Sequence, residues 1–254
     1  MQIKQVYPES AQAPSSYCKY FFRGEQSSGD IENLVSGGAL AVKNAGFLDA
    51  TLWASAGYAA IGGGAGNYCT LAPETHDLTL NGFTLVVTAR VLKSTVAFPG
   101  AEQYFVSSYN PGSTTGGIIL ACRTDGAARL YCNAVDGTAV SVTTAANTLT
   151  NGAAAVERSL VFVFPRESGQ SARVAVDGIE VSTSPATTIA GKSLAGGRAM
   201  RIGGPQSGAA VDAYKLAAFG AYLVPINSTL IDKAQLYDWA FRNPGTPMPD
   251  WVFQ

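Results

Sequence analysis

The chain has 254 residues, with 17 Lys+Arg against 18 Asp+Glu and a net charge of −1. That balance excludes the basic stripe of a nucleic-acid-binding protein and the long acidic run of a disordered tail. Charged residues make up 14% of the chain against about 25% in ordinary globular proteins, and 28 glycines accompany a 47% hydrophobic fraction. A chain of this length buries enough surface to fold without a metal or disulfide staple.

The first ten residues, MQIKQVYPES, contain no apolar run of signal-peptide length. No stretch reaches the roughly 18 apolar residues of a membrane-spanning helix, so membrane insertion is not expected. Residues 1–16 read as an arm, 17–242 as one domain, and 243–254 as an extended tail punctuated by Pro244, Pro247 and Pro249.

Gly62-Gly63-Gly64-Ala65-Gly66 lacks the Lys-Ser/Thr that would follow in a phosphate-binding loop, and it reads as a rim loop. Glu74, His76 and Asp77 stand in a polar stretch before a strand. His76 is the single histidine; the three could make part of a metal site, though a lone histidine in a polar loop is more often just that, and with no G-x-S-x-G elbow in the chain His76 is not expected to serve as a serine-hydrolase base. From Phe83 to Val91, the residues Phe83, Leu85, Val87, Ala89 and Val91 share one face, while Thr84, Thr88 and Arg90 share the other. Period two of this kind predicts a half-buried strand. Gln103 to Ser108 repeats the habit. Gly117 to Arg123 and Arg129 to Ala134 form the arms of a hairpin around Asp125-Gly126.

Ser159 to Phe164 and Ala172 to Val176 make a second pair, joined by the polar stretch 165–170, and Asp177-Gly178 turns the chain into Glu180 to Ser184. Arg198 to Ile202 and Lys215 to Tyr222 complete the strands. One helix is expected from Ser228 to Phe241, with Leu230, Ala234, Tyr237 and Phe241 on one face. Thr229 and Asp232 would make its capping box, and Asn243-Pro244-Gly245 its stop. Turn signals about every ten residues, with no long helices between strands, predict an all-β, two-sheet antiparallel sandwich with one short C-terminal helix.

Four cysteines, Cys18, Cys69, Cys122 and Cys132, form no C-x-x-C pair, which excludes zinc-ribbon and thioredoxin sites. Cys122 and Cys132 flank the Asp125-Gly126 turn, where a disulfide across the hairpin is one alternative and buried free thiols the other. A retaining glycosidase needs two carboxylates about 5–5.5 Å apart, hence two acids spaced by two or four along one strand face. Glu102, Glu157, Glu167 and Glu180 fall singly at strand ends and turns instead, as solvated rim charges. No catalytic residues and no cofactor are expected. Asp49, Asp125 and Asp136 are unpaired in sequence, so no metal is expected either.

Three stretches together resemble the laminin-G-like jelly roll, the sandwich shared with concanavalin A-like lectins and some glucanases. Ser159 to Val181 is similar to the family's strand, polar turn, strand and Asp-Gly reversal. Met200 to Ala240 resembles its closing Ile-Gly-Gly strand, loop, long strand and helix. Tyr20 to Leu40 resembles its first strand and Ser-Gly loop. Where the family often places a Trp-His pair, this chain has Ala154 to Ser159, AAVERS. The resemblance implies a jelly roll over most of the chain and a recognition function.

Within that frame, Tyr104, Tyr109 and Asn110 are the expected ligand-binding residues. An aromatic platform takes the apolar face of a sugar and amides take its hydroxyls. Trp251 and Phe253 in the tail are the expected subunit contacts. The missing signal, low charge and Gly/Ala/Ser/Thr-rich composition suggest a bacteriophage virion protein, either capsid decoration or a tail/fibre component. Such a protein would be a homo-oligomer, contacting other virion proteins and a surface glycan. The alternative is a secreted carbohydrate-binding module or adhesin, with a glycan-cleaving enzyme behind both.

Overall fold

The computed structural model describes residues 16–23, 33–35, 42–43, 59–61, 68–71, 81–91, 102–109, 116–151, 154–164, 171–183, 192–194, 199–203, 214–225, 233–243 and 246–253. In chain order the strands are β1 Cys18–Arg23, β2 Val42–Lys43, β3 Ala59–Ile61, β4 Tyr68–Leu71, β5 Asn81–Val91, β6 Gln103–Ser107, β7 Gly117–Cys122 and β8 Ala128–Asn133. They continue with β9 Ala139–Thr143, β10 Thr150–Asn151, β11 Ala154–Ala155, β12 Glu157–Phe164, β13 Arg173–Val176, β14 Ile179–Thr183, β15 Met200–Gly203 and β16 Tyr214–Pro225. Helix α1 covers Lys233–Arg242, and a single 3-10 turn covers Asp250–Phe253.

Two seven-stranded antiparallel sheets make the sandwich. The first runs β1-β16-β5-β12-β13-β14, with β3 also on β16, and the second runs β2-β4-β15-β6-β7-β8-β9. The strands expected from alternation are all present, with β2, β3, β4, β9, β10 and β11 added to them. Non-sequential neighbours such as β16 between β1 and β5 are what a jelly roll requires, because the chain crosses repeatedly from one sheet to the other.

The core lies between the sheets. Phe22, Leu85, Val87, Phe162, Val174 and Phe219 come from the first; Val106, Ile118, Leu120, Leu130, Met200 and Ile202 come from the second. Phe22 and Phe219 stack with ring centroids 5.2 Å apart. Period two sends these residues inward and would leave the alternate residues of β5 and β12 in water. It does not. Thr84 and Thr88 are buried, as are Val86, Val161 and Val163. The half-buried reading of Phe83 to Val91 is therefore corrected: its second face is covered by α1 and the tail.

That cover forms a second apolar cluster, in which Leu236, Tyr237, Trp239 and Ala240 of α1 meet Val86, Val161, Val163 and Ala175. The helix is described from Lys233 on, residues 228–232 lying outside the described residues, and of the face expected to be buried Tyr237 is buried. Phe241, expected to point inward, is 47% exposed. Three polar contacts hold the layer down: Ser159 Oγ donates to the Ala240 carbonyl at 3.1 Å, Tyr237 OH donates to Glu180 Oε2 at 3.1 Å, and the Met248 N–H donates to Tyr222 OH at 3.0 Å. Asn243 closes the helix, its N–H donating to the Trp239 carbonyl at 2.9 Å. The tail, expected to run extended, buries Met248 and Val252 and ends in the 3-10 turn. There Asp250 Oδ1 accepts the Ser16 N–H at 2.9 Å, joining the two ends of the domain.

The turns follow their sequences. Asp177 and Gly178 both have positive φ, 51° and 83°, and Val176 pairs with Ile179, so this is the two-residue I′ reversal expected of Asp-Gly. The β7–β8 turn is longer. Its Gly126 has φ 77°, Arg123 N–H donates to the Ala127 carbonyl at 2.9 Å, and Asp125 Oδ1 accepts the Ala127 N–H at 3.1 Å. Register then decides the cysteines. Cys122 pairs with Ala128 while Cys132 pairs with Ile118, so they lie at opposite ends of the ladder. All four cysteines are buried and free, and the disulfide alternative is overturned.

Burial pushes the thiols of Cys18, Cys122 and Cys132 from an ordinary 9.0 up to about 12. A raised acid group stabilises the fold fully below its unfolded value and progressively less as pH climbs toward the folded value. The folded protein should therefore lose urea resistance between about pH 9 and pH 12. An aromatic disulfide reagent at neutral pH should modify thiols only after denaturation; prompt reaction of the native protein would contradict the packing. Leu236→Ala should lower the unfolding free energy by about 2–5 kcal/mol, because it opens a cavity beneath the helix. A chemical-denaturation curve measures it.

Candidate functional site

With the outer face of the first sheet sealed, the outer face of β6, β7 and β8 carries the polar chemistry. Leu130 and Cys132 of β8 point into the core, so Arg129 and Tyr131, which alternate with them, point out, and both are half-buried. Tyr104 of β6 pairs with Ala121 and Ala121 with Arg129, while Ser107 pairs with Ile119 and Ile119 with Tyr131. These two rows, one residue pair apart, bring the aromatic and charged side chains together. Ile119 and Ala121 of β7, between them, are buried.

The groups are connected. Arg129 Nη1 donates to Glu102 Oε1 at 3.0 Å and to Oε2 at 3.3 Å. Tyr104 also hydrogen-bonds to Glu102; burial first, then the Glu102 charge, pushes its phenol up to about 12. The Arg129 guanidinium lies 5.4 Å from the Tyr131 ring centroid. Tyr131 meets Tyr109 with centroids 5.1 Å apart and planes at 55°. Burial and a hydrogen bond to Tyr109 raise the Tyr131 phenol. A partly exposed ion pair such as Glu102–Arg129 contributes only about 0–1 kcal/mol to stability. Its chemical consequence is a fixed acceptor and a fixed donor beside aromatic rings. Further across the same sheet, the Arg201 guanidinium lies 3.8 Å from the Tyr68 ring centroid.

Tyr109 sits beyond the end of β6, where its N–H and that of Ser108 both donate to the Ile118 carbonyl, at 3.1 and 2.9 Å. This close approach depends on Gly117. A Cβ there would fall 2.6 Å from both Cα and N of Tyr109, closer than packing permits.

The structure thus joins Tyr104 and Tyr109 through β8 rather than through their own strand. Asn110 lies outside the described residues, as do Asp49, Gly62–Gly66, Glu74, His76 and Asp77. The backbones of Trp251 and Phe253 form the 3-10 turn, but their side chains lie outside the described residues. Nothing local marks Arg129 and Tyr131 as site residues; alternation with Leu130 and Cys132 is the sequence signal that turns them outward. Glu102, read as a solvated rim charge, is instead the acceptor that ties Arg129 to Tyr104.

Other acids have structural duties. Asp136 accepts the Thr138 N–H at 2.9 Å and pairs with Lys192, and these bonds draw its carboxyl down to about 2. Burial, with the Asp177 charge, raises Glu157. Asp177 itself accepts Arg158 Nη1 at 2.5 Å and the Ser159 N–H at 2.9 Å, which commits it to bracing the I′ turn rather than to attack on a substrate. Among the described residues no three His, Cys, Asp or Glu side chains converge as metal ligands would.

No protein-family model and no curated protein matches the sequence. Among solved structures, the receptor binding domain of the botulinum neurotoxin C/D mosaic serotype matches with a TM-score of 0.65 at 7% identity, over 91% of this chain and 55% of that one. The botulinum neurotoxin serotype D ligand binding domain in complex with N-acetylneuraminic acid matches at 0.62 and 8% identity, over 91% and 54%. Trypanosoma rangeli sialidase in complex with 2,3-difluorosialic acid matches at 0.62 and 14% identity, over 97% and 36%. The chain therefore spans about half of the toxin domains and about a third of the sialidase. At these identities the likeness establishes the sandwich fold.

Gly117→Ala should cost about 1–3 kcal/mol of stability, the usual penalty of forcing an extra carbon into a packed contact. It should also move Tyr109 off Tyr131, which a crystal structure of the variant would display.

Proposed function

We propose that this protein is a non-enzymatic recognition module that binds a glycan on the outer face of β6, β7 and β8. Its laminin-G-like sandwich serves as the scaffold. The observation that carries the reading is the connected row Tyr109, Tyr131, Arg129, Glu102 and Tyr104. Tyrosine rings accept the C–H face of a pyranose, and a carboxylate held beside a guanidinium supplies an acceptor and a donor for adjacent hydroxyls. Rigid strands hold these groups in place, which lowers the entropy lost on binding. A similar toxin domain, crystallised with N-acetylneuraminic acid, supports glycans as the class to test.

The setting that fits the low charge and the Gly-rich composition is the surface of a bacteriophage particle, as capsid decoration or a tail/fibre protein. There, copies of the chain assemble through the N-terminal arm and the Trp251/Phe253 tail. Mass spectrometry of purified virions tests the setting, and absence of the chain from them rejects it. A secreted carbohydrate-binding module would use the same face and differ only in location.

On a glycan array the folded protein should bind a discrete set of sugars. Tyr131→Ala and Tyr109→Ala should each weaken binding by about tenfold or more, a loss of about 1.4 kcal/mol, with an unchanged circular-dichroism spectrum. A flat array from well-folded protein rejects the reading.

A further inference from the structure

We infer that the ligand of this face is an uncharged sugar rather than an acidic one, an inference that rests on the glycan-binding reading above. It follows from how Arg129 is neutralised. A site that selects a carboxylated sugar needs a guanidinium whose charge is not already compensated, so that it can hold the incoming carboxylate. Here Arg129 Nη1 is already engaged by both oxygens of Glu102, at 3.0 and 3.3 Å. Glu102 and Arg129 are similarly open, with side chains 21% and 28% exposed, so an incoming anion would meet the carboxylate as well as the cation.

The remaining contact groups, Tyr104, Tyr109 and Tyr131, are phenols. Burial first of all shifts Tyr104 and Tyr131 upward, so these two stay neutral at physiological pH. The neighbouring β7–β8 turn repeats the balance, with Arg123 3.9 Å from Asp125. Among the described residues these two ion pairs cancel in charge, while hydrogen-bond donors and acceptors are both present. A polyhydroxylated neutral pyranose presents that same mixture. Arg201, stacked on Tyr68 on the far side of β6, is the cation through which an acidic sugar would have to be held instead.

Matched pairs test this: lactose against sialyllactose, and a galacto-oligosaccharide against an oligogalacturonate, each titrated calorimetrically. The neutral member of at least one pair should bind about tenfold or more tighter than its acidic partner. Its affinity should change less than about twofold between roughly 0.05 and 0.5 M NaCl, because screening acts only on charged partners. Glu102→Gln releases Arg129 from its counter-charge and should narrow the gap by strengthening the acidic member. Tighter binding of the acidic member by the unaltered protein overturns the inference and leaves glycan binding standing. So does acidic-sugar binding abolished by Arg201→Gln but indifferent to Glu102→Gln. Failure of folded protein to bind any member, together with a flat array, removes the proposed function and this inference together.

Discussion

The structure depends on burying one sheet from both sides. Strands β5 and β12 carry apolar or buried residues at consecutive positions, Leu85, Val86 and Val87 on one and Leu160 to Phe164 on the other. The second sheet can cover only one face of such strands, and the opposite face exposed to water would forgo about 25 cal/mol for each Å² of apolar surface. Helix α1 and the tail supply the missing layer. Tyr222, whose hydroxyl accepts the Met248 N–H, and Ser159, whose hydroxyl reaches the Ala240 carbonyl, satisfy two of the backbone groups that this layer traps. Buried polar atoms left unpaired would offset much of the gain.

No described helix covers the outer face of β6, β7 and β8, where Tyr104, Ser107, Arg129 and Tyr131 of the flanking strands stand on either side of the buried Ile119 and Ala121 of β7. These groups are positioned by register, with Tyr104, Ala121 and Arg129 in one row and Ser107, Ile119 and Tyr131 in the next. A one-residue slip of β8 would turn Arg129 and Tyr131 inward. The inward alternates Leu130 and Cys132, packed in the core, oppose that slip, so the core and the site enforce each other.

Alternation along Phe83 to Val91 and Ser159 to Phe164, Asp-Gly pairs at 125–126 and 177–178, and the absence of long helices were enough to read a sandwich from the residues alone. These are local signals: side-chain parity is set by the pleat, and positive φ by the turn residues. The candidate site was legible only in part. Tyr104 and Tyr109 could be picked out as aromatics near a strand end. Their true partners, Arg129 and Tyr131, stand more than twenty positions away along the chain. Glu102 looked like any rim carboxylate because nothing local shows which cation it will meet.

Sequence by itself determined the fold class, the turn chemistry at Asp177-Gly178, and the presence of an amphipathic helix near the C-terminus. Tertiary structure decided which face of that helix is buried, that Thr84 and Thr88 are covered, that Cys122 and Cys132 stay apart, and that five side chains from β6, β8 and their flanks form one polar row. The division has a physical cause. Propensity and periodicity act over a few residues and are written locally, whereas strand order and register are outcomes of the whole core's packing, and only they bring distant side chains within hydrogen-bonding reach.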